Sequence, residues 1–470
     1  MKSKQMACCW TFSGDLLMRY KQYKAIEIPW VSSVPASWTM VPNKVLFRKH
    51  QNKVGEAFKD FQLLSLTTNG IKQKSLFDIK GKVPTSYTGY QEVNENDMVF
   101  CLFDLDVSAV FSGISPYHGM ITSAYDVAKC NESYIIPHYA DYWFRFVFSN
   151  RYYKMYSKNV RYTLSYDAFG SLKTPIPTIN EQKKIVKYLD WQVSKINKLI
   201  SSKKKEIDLL KERQKTFISN IVLSGTNPGA KKEDSGISWI GDIPSHWKTY
   251  RCKYLFSERD ERSIEGKEQH LSMSQKYGLV PDTILDERRM LSESYAGGKI
   301  CYENDLVLNR LKAHLGVFSL APQMGVISPD YTVLIPRIGR IIPAYAEAVL
   351  KSQKCRRELR VRVKGVTEGF WRLYTDSFNT IVLPVPPVEE QKSIMDEIKL
   401  FEEKTANYIS VILKEVEVLH ELRNKLISDV VTGQIDVRDI EVPEFEFVDE
   451  IEDESDEDTD EENDNADEEE

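Results

Sequence analysis

Apolar residues recur at alternating steps of three and four along two stretches of the chain. In the first they fall at Leu189, Val193, Ile196, Ile200, Ile207, Leu210, Phe217 and Ile221, with Lys203 and Gln214 as polar interruptions. In the second they fall at Ile394, Ile398, Phe401, Tyr408, Ile412, Leu419, Leu422 and Leu426, interrupted by Thr405 and Glu415. This repeat predicts a long helix with a coiled-coil seam, whose interior polar positions fix register. Pro177 and Pro386 precede the runs, acidic residues fill the first turns, and Gly225 and Gly433 stop them. One such helix alone would be read as lying on its own domain. Two of matched length, each with a partly polar seam, favour pairing with each other. Glu181 to Leu223 is 43 residues, or roughly 64 Å at about 1.5 Å per residue.

Before each helical run lies a stretch rich in aromatic and β-branched residues, punctuated by Gly, Asn and Pro. Val99–Phe103 and Leu306–Leu308 follow the turn-like Glu-Asn-Asp at 95–97 and 303–305 and read as short strands. Tyr139–Phe148 and Pro343–Arg360 read as helical. The pattern predicts mixed α+β domains.

The two stretches are copies. Trp30, Pro35, Trp38, Lys44, Leu46 and Phe47 recur as Trp239, Pro244, Trp247, Lys253, Leu255 and Phe256, each shifted by 209. Asp167, Phe169, Pro175, Pro177 and Glu181-Gln182-Lys183 recur at the same offset as Asp376, Phe378, Pro384, Pro386 and Glu390-Gln391-Lys392. That period is too long for a solenoid, whose repeats run about 20 to 50 residues. The expected organisation is a leader (1–25), a globular domain (26–175), a helix (176–225), a linker (226–234), a second globular domain (235–383), a second helix (384–433) and an acidic disordered tail (434–470). If the chain enters the second copy at the far end of the first helix, the helices pair antiparallel, with pseudo-twofold symmetry.

Charge sharpens this picture. The net charge of −6 hides an uneven distribution. Residues 441–470 hold 19 acidic and no basic side chains, so residues 1–440 hold 63 basic and 50 acidic ones, a net of +13. A basic body with an acidic tail fits a polyanionic partner. The seven cysteines are scattered without a C-x-x-C pair, which indicates neither a zinc site nor a disulfide framework. No apolar run approaches the roughly 20 residues of a membrane helix, and the N-terminus lacks a signal-peptide pattern. A reduced, soluble, cytoplasmic protein with no membrane partner is expected.

The segment Ser235-Gly236-Ile237-Ser238-Trp239-Ile240-Gly241-Asp242-Ile243-Pro244-Ser245-His246-Trp247 resembles the opening of a target-recognition domain in the specificity subunit of type I restriction-modification systems. Asn309–Ala313 and Gly325–Tyr331 resemble its middle, and Pro384–Gln391 its junction with a spacer helix. The first copy is more diverged, with Ser32-Ser33 in place of Gly241-Asp242. The resemblance covers roughly 26–433. It implies a non-catalytic DNA-reading subunit without a cofactor. Two target-recognition domains would each read half of a bipartite double-stranded DNA sequence, with the helices as a ruler. Two methyltransferase subunits, and in the full enzyme restriction subunits that translocate DNA, would be its partners.

Lys and Arg on phosphates give affinity, whereas side chains reaching base edges give specificity. In the second copy the candidates are Gln275, Lys276 and Tyr277; Arg310, Lys312 and His314; Arg360, Arg362 and Lys364; then Thr367 and Arg372. Arg310 and Lys312 suit guanine, and Gln275 suits adenine. In the first copy they are Thr68, Asn69, Lys72 and Lys74, then Asp104, Lys158, Arg161 and Tyr162. Asp104 stands where the second copy has Lys312, so the two domains should read different halves. Trp30, Trp38, Trp239 and Trp247 read as packing residues.

Two other functions compete. Asp260, Glu265 and Lys267 are the best match to a nuclease site, a pattern that arises easily in a chain that is 28% charged. A coiled-coil scaffold without DNA reading would rest on the heptads alone. A methyltransferase cofactor loop, a Walker loop and metal-ligand spacing of histidines are all absent from the sequence.

Overall fold

The computed structural model describes residues 19–68, 70–75, 86–157, 162–275, 277–284, 294–337, 339–365 and 371–449. Contacts divide these into two units, one of 19–204 with 413–449 and one of 205–412. Each is a mixed helix-and-strand domain completed by parts of both long helices.

In the first unit, Phe47–His50, Asp126–Cys130, Met98–Phe100 and Ser112–Ile114 form an antiparallel sheet in that order. In the second unit, Phe256–Arg259, Tyr331–Pro336, Leu306–Asn309 and Phe318–Leu320 repeat the arrangement. Asn96 and Asn304 turn the chain into the matching strands Met98–Phe100 and Leu306–Asn309 with φ of 67° and 69°, a conformation asparagine tolerates better than most residues. A two-stranded ladder pairs Thr39–Pro42 with Lys173–Ile176, and its counterpart pairs Lys248–Arg251 with Val382–Val385. The helical stretch Pro137–Ser149 is continuous. Its counterpart is two helices, Pro343–Lys351 and Gln353–Arg362, because Ser352 turns extended and caps the second through Cys355 N–H.

The long helices run Ile179–Ser224 and Val388–Val431. They pair antiparallel: in the first unit Ile196 and Ile200 cluster with Val416, and in the second Phe217 stacks on Phe401 at 4.1 Å. The polar interruptions meet across the pair, with Lys203 Nζ 2.8 Å from Glu415 and Gln214 Nε2 3.4 Å from Glu402. The seam of the second helix follows the expected one at Ile394, Ile398, Thr405 and Ile412 and departs from it at Tyr408 and Leu422. Tyr408 is 66% and Leu422 37% exposed, whereas Thr405, Ile412 and Val416 are buried. Steps of three and four can be laid along adjacent faces, and beyond Ile412 packing selects Val416 in place of Glu415.

Each globular core takes the first turns of one long helix and the last turns of the other. In the first unit Ile185, Leu189 and Val193 share a core with Ile427, Val430 and Val431; in the second Ile394 and Ile398 share one with Ile221, Val222 and Leu223. Gly225 and Gly433 end the helices at φ of 75° and 70°, packed against Trp247 and Trp38. A Cβ at Gly433 would lie 2.4 Å from Pro35, so this stop requires glycine on two counts.

The first residues assigned to the acidic tail are packed. Ile435 and Val437 are buried in the core of the first unit, and the chain continues along that unit to Asp449. Residues 450–470 lie outside the described residues.

Candidate nucleic-acid interface

The same bonds hold both domains to their helices. Trp38 Nε1 donates to Glu181 at 2.9 Å, and Trp247 Nε1 to Glu390 at 3.0 Å. Gln182 Oε1 accepts Ile136 N–H at 2.9 Å while its amide donates to the carbonyls of Tyr134 and Pro177. Gln391 accepts Ile342 N–H at 2.7 Å and donates to Arg340 and Pro386. Tyr139 and Tyr345 each donate 3.2 Å to the proline carbonyl before the junction, Pro175 or Pro384. These groups are largely buried, so every bond replaces one to water that cannot form. Trp38 and Trp247 are thus packing residues, as expected, and Trp30 stacks on Tyr152 at 4.8 Å.

In the second unit the structure gathers many of the candidates. Lys312 precedes the one-turn helix Ala313–Leu315, which packs against the helix Gln353–Arg362. Arg356 on that helix lies against Gly316, and Arg360 is exposed beyond it. Lys364 and Arg372 bridge through their backbones at 2.9 Å, and Leu373 N–H donates to Arg310 O. Trp371, 44% exposed, meets the His314 ring edge-on at 5.7 Å. Sequence reasoning missed Trp371 and Arg356; the one signal for Trp371 is an aromatic beside Arg372 in a basic stretch. Gln275 and Tyr277 sit exposed at the turn between Leu271–Ser274 and Gly278–Pro281. Gly278 abuts Ser319, on the strand that follows the Lys312 turn.

Three of these side chains are committed to the fold. Arg310 bonds the backbone carbonyl of Asp330 and lies 3.1 Å from its carboxylate, which leaves it poorly placed for guanine. Arg362 is tied to Glu358 and Thr380. His314 is buried, and desolvation, with Arg360 and Arg356 nearby, holds its pKa below the usual histidine value. A neutral imidazole adds no charge toward phosphate. Lys276 and Thr367 lie outside the described residues.

In the first unit Thr68 is exposed at the turn between Leu63–Thr67 and Gly70–Lys74. Lys72 and Lys74 follow on the second strand; Lys72 is 42% exposed and lies 3.6 Å from Asp449. Asp104, at φ 51°, starts a loop whose Leu105 N–H donates to Tyr162 O. Arg151 binds the loop carbonyls of Leu105 and Ser108, and Lys154 lies over the Tyr162 ring at 4.3 Å. A shallow pocket lined by Thr68, Gly70, Val110 and Arg145 joins the turn to this loop. Asn69, Lys158 and Arg161 lie outside the described residues. The rival nuclease residues are paired on an exposed loop, Glu265 with Lys267 and Asp260 with Arg262. Among the described residues, no cluster of three metal-binding side chains is present and no helix is long and apolar enough to cross a membrane.

The chain thus holds two α+β domains of one frame, each completed by turns of both long helices and each presenting a different set of candidate residues. No protein-family model matches the chain. It is 22% identical over 456 residues to a putative type I restriction enzyme MjaX specificity subunit of Methanocaldococcus jannaschii, covering 90% of this chain and 99% of that one. It is 23% identical over 298 residues to the MjaVIII specificity subunit of the same organism, covering 58% of this chain and 64% of the relative. Its fold is similar to a chain in a structure described as the basis of complex assembly and conformational transition of the type I R-M system (TM-score 0.55, 13% identity, 86% of this chain and 99% of that one). The chain is thus similar in sequence to specificity subunits of type I restriction enzymes, the resemblance its motifs carry, and its fold is similar to a chain of such a system.

Proposed function

We propose that this chain is the DNA-specificity subunit of a type I restriction-modification enzyme, itself without catalytic activity and acting in the cytoplasm. Each globular domain reads one half of a bipartite target, and the helix pair sets the unread length between the halves. The observation that carries this reading is a conserved internal frame under unlike surfaces. The junction bonds of Gln182 and Gln391 match, whereas Lys312 and Trp371 in one domain stand at positions that Asp104 and Tyr162 fill in the other. Two identical surfaces would read one sequence twice; these are suited to two sequences.

The remaining candidates fall into roles by exposure. Lys364, Arg360, Arg372, Lys72 and Lys74 suit phosphates; Gln275, Tyr277, Lys312 and Thr68 suit base edges. Asp104 suits a cytosine amino group. The partners are two methyltransferase subunits and the restriction subunits of the complete enzyme. Assembly with a methyltransferase subunit, followed by methylation of a random duplex library and sequencing, tests the reading. Two short specified blocks separated by a fixed unspecified gap are expected. A single contiguous motif, or methylation without sequence preference, would overturn it.

A further inference from the structure

Beyond the helix stop at Gly433 the described residues, as far as Asp449, stay on the first unit. Gln434 donates to Ser33 O, Lys184 donates to Arg438 O, and Ile440 and Val442 pack against the core. Further on, Val448 is held on both sides of its backbone: its N–H donates to Ser194 Oγ at 3.1 Å, and its carbonyl accepts from Asn197 Nδ2 at 3.0 Å. Both anchors lie on the first long helix, and together they fix the direction and register of the segment. The next residue, Asp449, is thereby placed with its carboxylate 3.6 Å from Lys72 Nζ. Lys72 and Asp449 lie on the wall of a cavity of about 270 Å³, with His138, Arg145 and Phe447 also lining it.

Arg145 on that wall is already paired with Asp141 at 2.7 Å, so Lys72 is the cation that Asp449 neutralises, and a carboxylate held against a lysine occupies ground that suits a phosphate. We propose that Lys72 is a phosphate-binding position of the first domain, and that Asp449 fills it until DNA displaces the strap 444–449. The proposal rests on the DNA-reading assignment. The strap enters it as a tethered competitor, which is present at high local concentration and contributes most where salt does not screen it. Anchoring runs through backbone hydrogen bonds to Ser194 and Asn197, so competition depends on docking as well as on the negative charge of the tail.

The two contributions separate with a charge-neutral change. Val448→Pro removes the N–H that Ser194 accepts and alters neither the charge nor the core. The intact chain, Val448→Pro and a chain ending after Pro443 are titrated with a fluorescent random-sequence duplex at about 50 and 200 mM salt. Truncation is expected to tighten binding by about threefold to tenfold at the lower salt and less at the higher, and Val448→Pro to recover much of that gain. In the truncated chain, Lys72→Ala should loosen binding and reduce the salt slope by about one. Equal affinity of all three forms overturns the proposal and leaves the DNA-reading assignment standing. Tightening by truncation but not by Val448→Pro overturns docking in favour of general charge repulsion. If no form binds duplex, the DNA-reading assignment fails and the phosphate position fails with it.

Discussion

At the scale of single residues, the glutamines at the helix junctions do more than the sequence reveals. Gln182 and Gln391 stand out only as parts of a repeated Glu-Gln pair. Each satisfies a backbone N–H and two carbonyls, and the N–H belongs to a residue 46 or 49 positions away. No local pattern carries such a bond. Gln391→Ala should cost about 1–3 kcal/mol, because buried backbone groups lose their partners, and thermal unfolding should show it as a loss in the second unit. Arg310 is a similar case. Its type suggested guanine, but Asp330 is 20 residues on in sequence and its bond to Arg310 becomes visible only once folded. His314, a DNA-contact candidate by its type, is buried and meets the Trp371 ring edge-on at 5.7 Å. Its pKa is held down by burial, so the unfolded chain takes up a proton near the ordinary value of 6.5 while the folded chain resists it. Stability from this group is present above that pH and is lost as pH falls through it. Melting temperatures of the intact chain should drop more between pH 7.5 and 5.5 than those of His314→Asn.

At the scale of elements, the long helices were the most legible part of the chain, because heptad spacing, prolines and glycines all agree. Their pairing was also legible, since Lys203 and Glu415 interrupt both seams and meet at 2.8 Å. What spacing could not decide was the exact face, and Tyr408 and Leu422 fall on the exposed side. The charge pair gives a direct test. Lys203→Glu places like charges opposite one another and should cost about 0.2–1 kcal/mol, and adding Glu415→Lys should restore most of it. Denaturant unfolding of the single and double variants measures this. Ile200→Asp, by contrast, buries an unpaired charge and should cost about 3 kcal/mol or more. The break at Ser352 was not legible, because the apolar pattern runs through it and only the Ser352–Cys355 cap marks it.

At the scale of the whole molecule, the constant offset of 209 at domain starts and junctions marks the shared frame. Trp38 with Glu181 and Trp247 with Glu390 repeat at that offset as bonded pairs. Between them the copies diverge, and there the candidate readers lie. Trp371 escaped notice because an exposed aromatic has no periodic signature, and its neighbour His314 is distant in sequence. Trp371→Ala and Lys312→Ala should each relax recognition of one half-site, by about 1–3 kcal/mol where a base contact is lost, and leave the other half unchanged. Half-site selection from a randomised library measures both halves at once. The central claim, two different readings joined in one chain, meets its most direct test in methylation-sensitive long-read sequencing of host DNA with and without this protein. The account predicts a methylated motif of two unlike blocks with a fixed gap that vanishes when the chain is deleted. A methylation pattern that is unchanged by the deletion would contradict it.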